Sequence, residues 1–202
     1  MEQINIINIV WLIVGGLTSM IFLFTLITVL FYKKPTQGQA LIRTGLGNTV
    51  IVFDKGIYVI PFLHKLDVLD TTIKRIELKL IDKSNLLCKD GKRIDIVATF
   101  LLKVNCSKES IEHTLHSIGS EKASNIENVQ EIFSPIFLES IHNIAKKFNF
   151  ETLRDSISEF KNEIVQHIGR DLYGFSLEQC SINYMEKINL TQEMQKHTQS
   201  YN

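Results

Sequence analysis

Along most of this chain apolar and polar positions interleave, but the first stretch does not: Ile6 to Phe31 contains no charged residue, and every Lys and Arg lies from Lys33 onward. About 26 residues rising 1.5 Å each make a helix of about 39 Å, longer than the roughly 30 Å hydrocarbon core, so a tilted helix here spans a bilayer. Thr18, Thr25 and Thr28 are tolerable within it because their hydroxyls can bond back to helical carbonyls. Gly15-Gly16 offers a site of close helix approach. Met-Glu-Gln at the start and the length of the run argue for a retained anchor rather than a cleaved signal peptide. Trp11 and Tyr32 suit the two membrane interfaces.

Past Gln39 the period shortens to that of strands. Ala40–Arg43, Thr49–Phe53 and Ile57–Ile60 are β-like runs separated by Gly45-Leu46-Gly47-Asn48 and Asp54-Lys55-Gly56, which predicts a meander ending at Pro61. Ile76, Leu78 and Leu80 alternate with Glu77 and Lys79, one face buried and one wet. The clearest hairpin joins Leu86–Cys88 to Arg93–Val104 through Lys89-Asp90-Gly91-Lys92, with Ile94, Ile96, Ala98, Phe100, Leu102 and Val104 on one face. The opposite face is mixed, open to cover by a helix or a neighbouring protomer.

A helical period follows. Ser107 is a suitable N-cap for a helix with the stripe Ile111, Leu115 and Ile118, ended by Gly119. A second helix from about Asn125 to Lys147 uses Val129, Ile132, Phe133, Ile136, Phe137, Ile144 and Phe148, with Pro135 expected to kink or divide it. A third, from about Phe150 to Tyr173, uses Leu153, Ile157, Phe160, Ile164, Ile168 and Leu172 and stops at Gly174. Phe175–Tyr184 returns to strand character, and Glu186 onward is polar with weak helical character. The pattern predicts an α+β domain, a mostly antiparallel sheet with helices packed on it, behind a transmembrane helix. The expected divisions are 6–32 for the anchor, 33–185 for the domain and 186–202 for a polar tail or the start of a helix.

Charge refines topology and partners. The 22 basic and 22 acidic residues cancel, leaving no excess with which to neutralise phosphates, so nucleic acid is not expected as a partner. Lys33, Lys34 and Arg43 follow the apolar run while only Glu2 precedes it, which places the C-terminal domain in the cytoplasm of a single-pass protein. Cys88, Cys106 and Cys180 are widely separated and form no CxxC, as suits a reducing compartment.

The candidate chemistry is thin. His113 and His116 sit three apart on a helix, but with no glutamate between them and no third ligand they read as surface histidines. Cys88 has no identifiable histidine partner, and Gly45-Leu46-Gly47 lacks the third glycine and following helix of a dinucleotide loop. His64 bears on packing or a partner surface rather than proton transfer. No catalytic residue, cofactor or metal is expected. Lys89–Arg93 is read as a solvated turn, with contact to anionic headgroups the alternative. Ile57–Leu66 is apolar enough to lie against the bilayer near the anchor, with Ile57, Tyr58, Val59, Ile60, Phe62 and Leu63 as candidate interface residues; a buried strand and loop explain it equally well.

Taken in order, the N-terminal apolar span, Tyr32-Lys33-Lys34-Pro35, Gln39-Ala40-Leu41-Ile42-Arg43-Thr44-Gly45, Tyr58-Val59-Ile60-Pro61-Phe62-Leu63-His64 and Leu86-Leu87-Cys88-Lys89-Asp90-Gly91-Lys92-Arg93-Ile94-Asp95-Ile96 resemble the flotillin branch of the SPFH (stomatin, prohibitin, flotillin; Band 7) superfamily. The resemblance covers about residues 5 to 185. It implies a non-enzymatic, membrane-tethered scaffold that forms homo-oligomers and organises membrane microdomains in contact with lipid, with Ile57–Leu66 near the bilayer. The alternative is a regulator that binds another membrane protein, a protease or a transporter. The long C-terminal coiled coil of flotillins does not follow the domain in this sequence, a departure that counts against ring or cage assembly: either this is a truncated or short-form member, or assembly relies on domain contacts alone.

Overall fold

The computed structural model describes residues 6–81, 85–169 and 172–188. The chain divides into two compact units at Val68/Leu69.

The first unit opens with helix α1 (Ile6–Phe31), which is long and apolar enough to cross a membrane and buries none of its apolar window within the chain. The hydroxyls of Thr18, Thr25 and Thr28 donate to the carbonyls of Gly15, Ile21 and Phe24, so each polar group is satisfied inside the helix. Strand β1 (Tyr32–Lys33) follows without a break, then β2 (Gln39–Gly45), β3 (Val50–Val52) and β4 (Ile57–Tyr58). The β2–β3 hairpin forms as the turn chemistry predicts, pairing Leu41 with Val52 and Arg43 with Val50. The meander stops there. β4 leaves β3 and pairs antiparallel with β1, Tyr32 opposite Tyr58. Strand β5 (His64–Asp70), which the apolar pattern did not reveal, takes the other side of β2. Leu41, Ile57 and Val59 form a small core with Val50, Val52 and Leu66 against it.

The second unit is built on a long strand, the predicted twelve-residue Arg93–Val104, which is β8 in chain order. On one side it pairs antiparallel with β6 (Lys74–Leu80) and then with β7 (Leu86–Leu87). On the other it pairs with β9 (Phe175–Lys187), whose register shifts twice, at Val97/Ala98 and Leu101/Leu102. β9 therefore extends past Tyr184 and takes Glu186 and Lys187 out of the expected tail; residues 189–202 of that tail lie outside the described residues. The even-numbered positions of β8 from Ile94 to Val104 are all buried, as the alternation required.

Between β8 and β9 the described residues form α2 (Lys108–Ser117), α3 (Ser120–Ser124), α4 (Ile126–Ala145), α5 (Phe150–Asp155) and α6 (Ile157–Ile168). Ser107 caps α2 by accepting from the Ser110 amide, and Asn125 caps α4 by accepting from Glu127 and Asn128. α3 is too short for an apolar stripe and went unpredicted. Pro135 does not divide α4; it lies on the exposed side of that helix, where water can take the carbonyl it strands. The third predicted helix is divided instead, at Ser156 (φ −123°, ψ 50°), and ends at Gly169 rather than Gly174. Both halves continue one apolar stripe, so periodicity alone could not show the break. Phe100 stacks on Phe137 at 4.4 Å between ring centroids, and Phe133 reaches Phe137 and Phe175 at 6.0 and 5.2 Å. All four rings are buried, and α4 is thereby locked onto the sheet.

Candidate membrane interface

What happens where α1 ends decides which residues can meet a bilayer. The last carbonyls of a helix lack intrahelical donors. Here the Val59 amide donates to the Phe31 carbonyl at 2.9 Å, so the end of β4 caps the end of α1. Tyr32 packs edge-on against Tyr58 with centroids 5.3 Å apart, and its ring lies so close over Gly56 that no Cβ would fit there. These contacts explain why β4 abandons β3: the glycine lets the chain close on the aromatic residue that leaves the helix.

Beyond β4 the chain makes a tight turn. The Leu63 and His64 amides both donate to the Ile60 carbonyl, at 3.0 and 2.8 Å, and the Ile60 amide donates to His64 Nδ1 at 3.2 Å. His64 thus holds the turn from within, a packing role. Onto this turn folds the β2–β3 tip, with the Leu46 amide donating to the Leu63 carbonyl at 3.0 Å. The approach needs Gly45, whose φ is +128° and whose missing Cβ would strike the Leu63 carbonyl oxygen.

Strand alternation divides the six predicted interface residues. Ile57 and Val59 point inward onto Leu41 and are corrected to core positions. Tyr58, Ile60, Phe62 and Leu63 are exposed, Phe62 at 96%. Leu46, which was not among the predicted residues, is 72% exposed and joined to the same turn. Its signal was an apolar side chain in a turn whose other positions are Gly and Asn. Four apolar side chains, Leu46, Ile60, Phe62 and Leu63, therefore stand exposed on two loops hydrogen-bonded to one another, in the unit that carries α1.

The other candidates resolve differently. The Lys89–Arg93 tip is the expected solvated turn, with Lys89, Asp90, Gly91 and Arg93 exposed, and it is also tied to the helical layer. The Lys89 amide donates to the Phe148 carbonyl at 3.0 Å, the Phe150 amide donates to the Asp90 carboxylate at 3.4 Å, and Lys92 pairs with Asp90 at 3.1 Å. Desolvation pushes the Asp90 carboxyl up, but the hydrogen bonds from Lys92 and Phe150 and the Lys92 charge outweigh it and hold the group below its ordinary 3.8. Cys88, at the base of this hairpin, is buried; desolvation, aided by Asp90, raises its thiol to about 11 against the pull of Lys92. That is the opposite of an activated nucleophile. His113 and His116 are exposed, the former beside the Tyr173 ring, and no group of three His, Cys, Asp or Glu suited to a metal occurs among the described residues.

Comparison with known proteins agrees with this architecture. The family model described as SPFH domain / Band 7 family matches residues 34–200. The flotillin family inner membrane protein YqiK of Escherichia coli (strain K12) is 24% identical over 182 residues, which cover 90% of this chain and 32% of that protein. The chain thus spans about a third of the length of that relative. With an apolar helix of membrane-spanning length leading directly into a strand-rich start and a helical second half, this chain belongs to the SPFH domain / Band 7 family as a membrane-associated, flotillin-like member.

Proposed function

We propose that the protein is a non-enzymatic membrane scaffold: α1 crosses the bilayer once, the domain that follows it lies on the cytoplasmic side, and copies associate into homo-oligomers that organise the surrounding membrane. The observation that carries the membrane part is the Val59–Phe31 hydrogen bond, which ties the Ile60–His64 turn to the end of the membrane helix. Exposed Leu46, Ile60, Phe62 and Leu63 then meet the interface of the leaflet where α1 emerges. Self-association is supported by family membership and by the anchor, because confinement to a bilayer raises the effective concentration of copies. The positive flank Lys33, Lys34 and Arg43 supports the cytoplasmic placement.

The test is the native mass of the detergent-solubilised full chain by size exclusion with light scattering. A large, defined assembly supports scaffolding through domain contacts. A monomer at all concentrations overturns it and turns attention to a regulator that restrains another membrane protein, to be sought by stoichiometric co-purification.

A further inference from the structure

The lipid such an interface would select follows from charge. Residues 32–67 carry five basic side chains (Lys33, Lys34, Arg43, Lys55, Lys65) and two acidic ones (Asp54, Asp67), a net +3 in a chain whose total is zero. Lys65 is spoken for, paired with Asp67 at 3.0 Å. Among the described residues, Lys33, Lys34 and Lys55 have no carboxylate partner, and all three are exposed. Their positions are set by contacts already described. Lys33 and Lys34 follow the helix end directly, and Lys55 adjoins Gly56, on which the Tyr32 ring rests. Arg43 is held by a bond from one Nη to the Tyr58 backbone carbonyl at 2.9 Å, which fixes its guanidinium at β4, one donor of its five being used in that bond.

An apolar tip and a set of cations without carboxylate partners in the segment that leaves one helix are the two parts of an interfacial binder that discriminates by headgroup charge. We propose that this unit docks selectively on anionic phospholipid in the leaflet where α1 emerges, Leu46, Ile60, Phe62 and Leu63 entering the interface while Lys33, Lys34, Lys55 and Arg43 engage headgroup phosphates and carboxylates. The inference rests on the proposed contact between the Ile60–His64 turn and the bilayer, and adds the class of lipid.

Phe62 is almost fully exposed, so Phe62→Trp is structurally mild, and combined with Trp11→Phe it leaves the introduced indole as the sole tryptophan of the chain. The full chain carrying both changes is reconstituted in nanodiscs of phosphatidylcholine alone or mixed with phosphatidylglycerol, and the tryptophan emission and its shielding from an aqueous quencher are read at low and high salt. The expected result is a blue-shifted, shielded indole only with the anionic lipid, reversed by salt. Lys33→Gln, Lys34→Gln and Lys55→Gln should each lower the docked-to-undocked ratio by about fivefold. Equal insertion into both bilayers overturns the lipid preference and leaves the contact standing. A solvent-exposed indole in both overturns the contact itself.

Discussion

Gly45→Ala probes the joint between the two loops, and its cost can be worked from local geometry. The φ of +128° is open to glycine and strained for alanine, by about 1–3 kcal/mol. The added Cβ would also strike the Leu63 carbonyl oxygen and stand 3.0 Å from His64 Cα, backbone atoms that cannot swing aside as a side chain can. The relief available is separation of the tip from the turn, which breaks the Leu46–Leu63 hydrogen bond and gives up about another 0.5–1.5 kcal/mol. The backbone strain alone sets about 1–3 kcal/mol against the docked tip, and the collision adds to it, whereas the hydrogen bond is given up on opening in the parental protein too. The damage should stay local, because the atoms a Cβ at Gly45 would meet belong to Leu63 and His64 and not to the Leu41, Ile57 and Val59 core. Hydrogen exchange of the Leu46 amide in the full-length protein is the direct assay, since a local opening made easier by at least about 1–3 kcal/mol speeds it by about 5- to 150-fold or more. Gly47→Ala is the control: its φ of +97° is also strained, but a Cβ there meets nothing within 4 Å. Leu46 exchange at the parental rate in Gly45→Ala, or indistinguishable from that of Gly47→Ala, would refute the collision argument.

Three further outcomes follow from the second unit. Phe137→Ala removes a ring that is fully buried and stacked on Phe100 and Phe133, and should cost about 3–5 kcal/mol in denaturant unfolding; a loss below about 1 kcal/mol would mean that α4 is not fastened through this cluster. Because the Asp90 carboxyl is held below its unfolded value, its contribution is complete above about pH 4 and disappears as pH falls through the lowered folded value, so Asp90→Asn should flatten the acid limb of a stability–pH profile, and an unchanged limb would reject the docking of the hairpin tip on Phe150. In the native protein a maleimide should label exposed Cys106 rapidly, whereas buried Cys88 should react only on unfolding, as peptide mapping that separates both from half-buried Cys180 would show; fast labelling of Cys88 itself would contradict its burial.

Much of the architecture was legible because periodicity reports burial directly. The β8 alternation, the Ser107 cap and the α4 stripe each depend on residues a few positions apart, and each stands where predicted. The errors arose where local signals were ambiguous. Two glycines, Gly169 and Gly174, were eligible to stop the third helix, and the apolar stripe ran unbroken across Ser156. In the candidate interface, the run Ile57–Leu63 reads as uniformly apolar, and nothing in its order tells an inward Val59 from an outward Phe62.

By itself, then, the sequence determined what depends on composition and short-range period: an uncharged run long enough to span a bilayer, a positive flank, and strands before helices. The tertiary structure decided what depends on residues distant in the chain. Pairing of β4 with β1 rather than β3 turned Ile57 and Val59 inward, and the contact of Leu46 with Leu63 added a residue that the sequence had left in an ordinary turn. The physical reason is that a side chain's exposure is set by which backbone its strand finds as a neighbour, and that choice was made by Tyr32, Gly56 and Gly45, through contacts that join residues far apart in the chain.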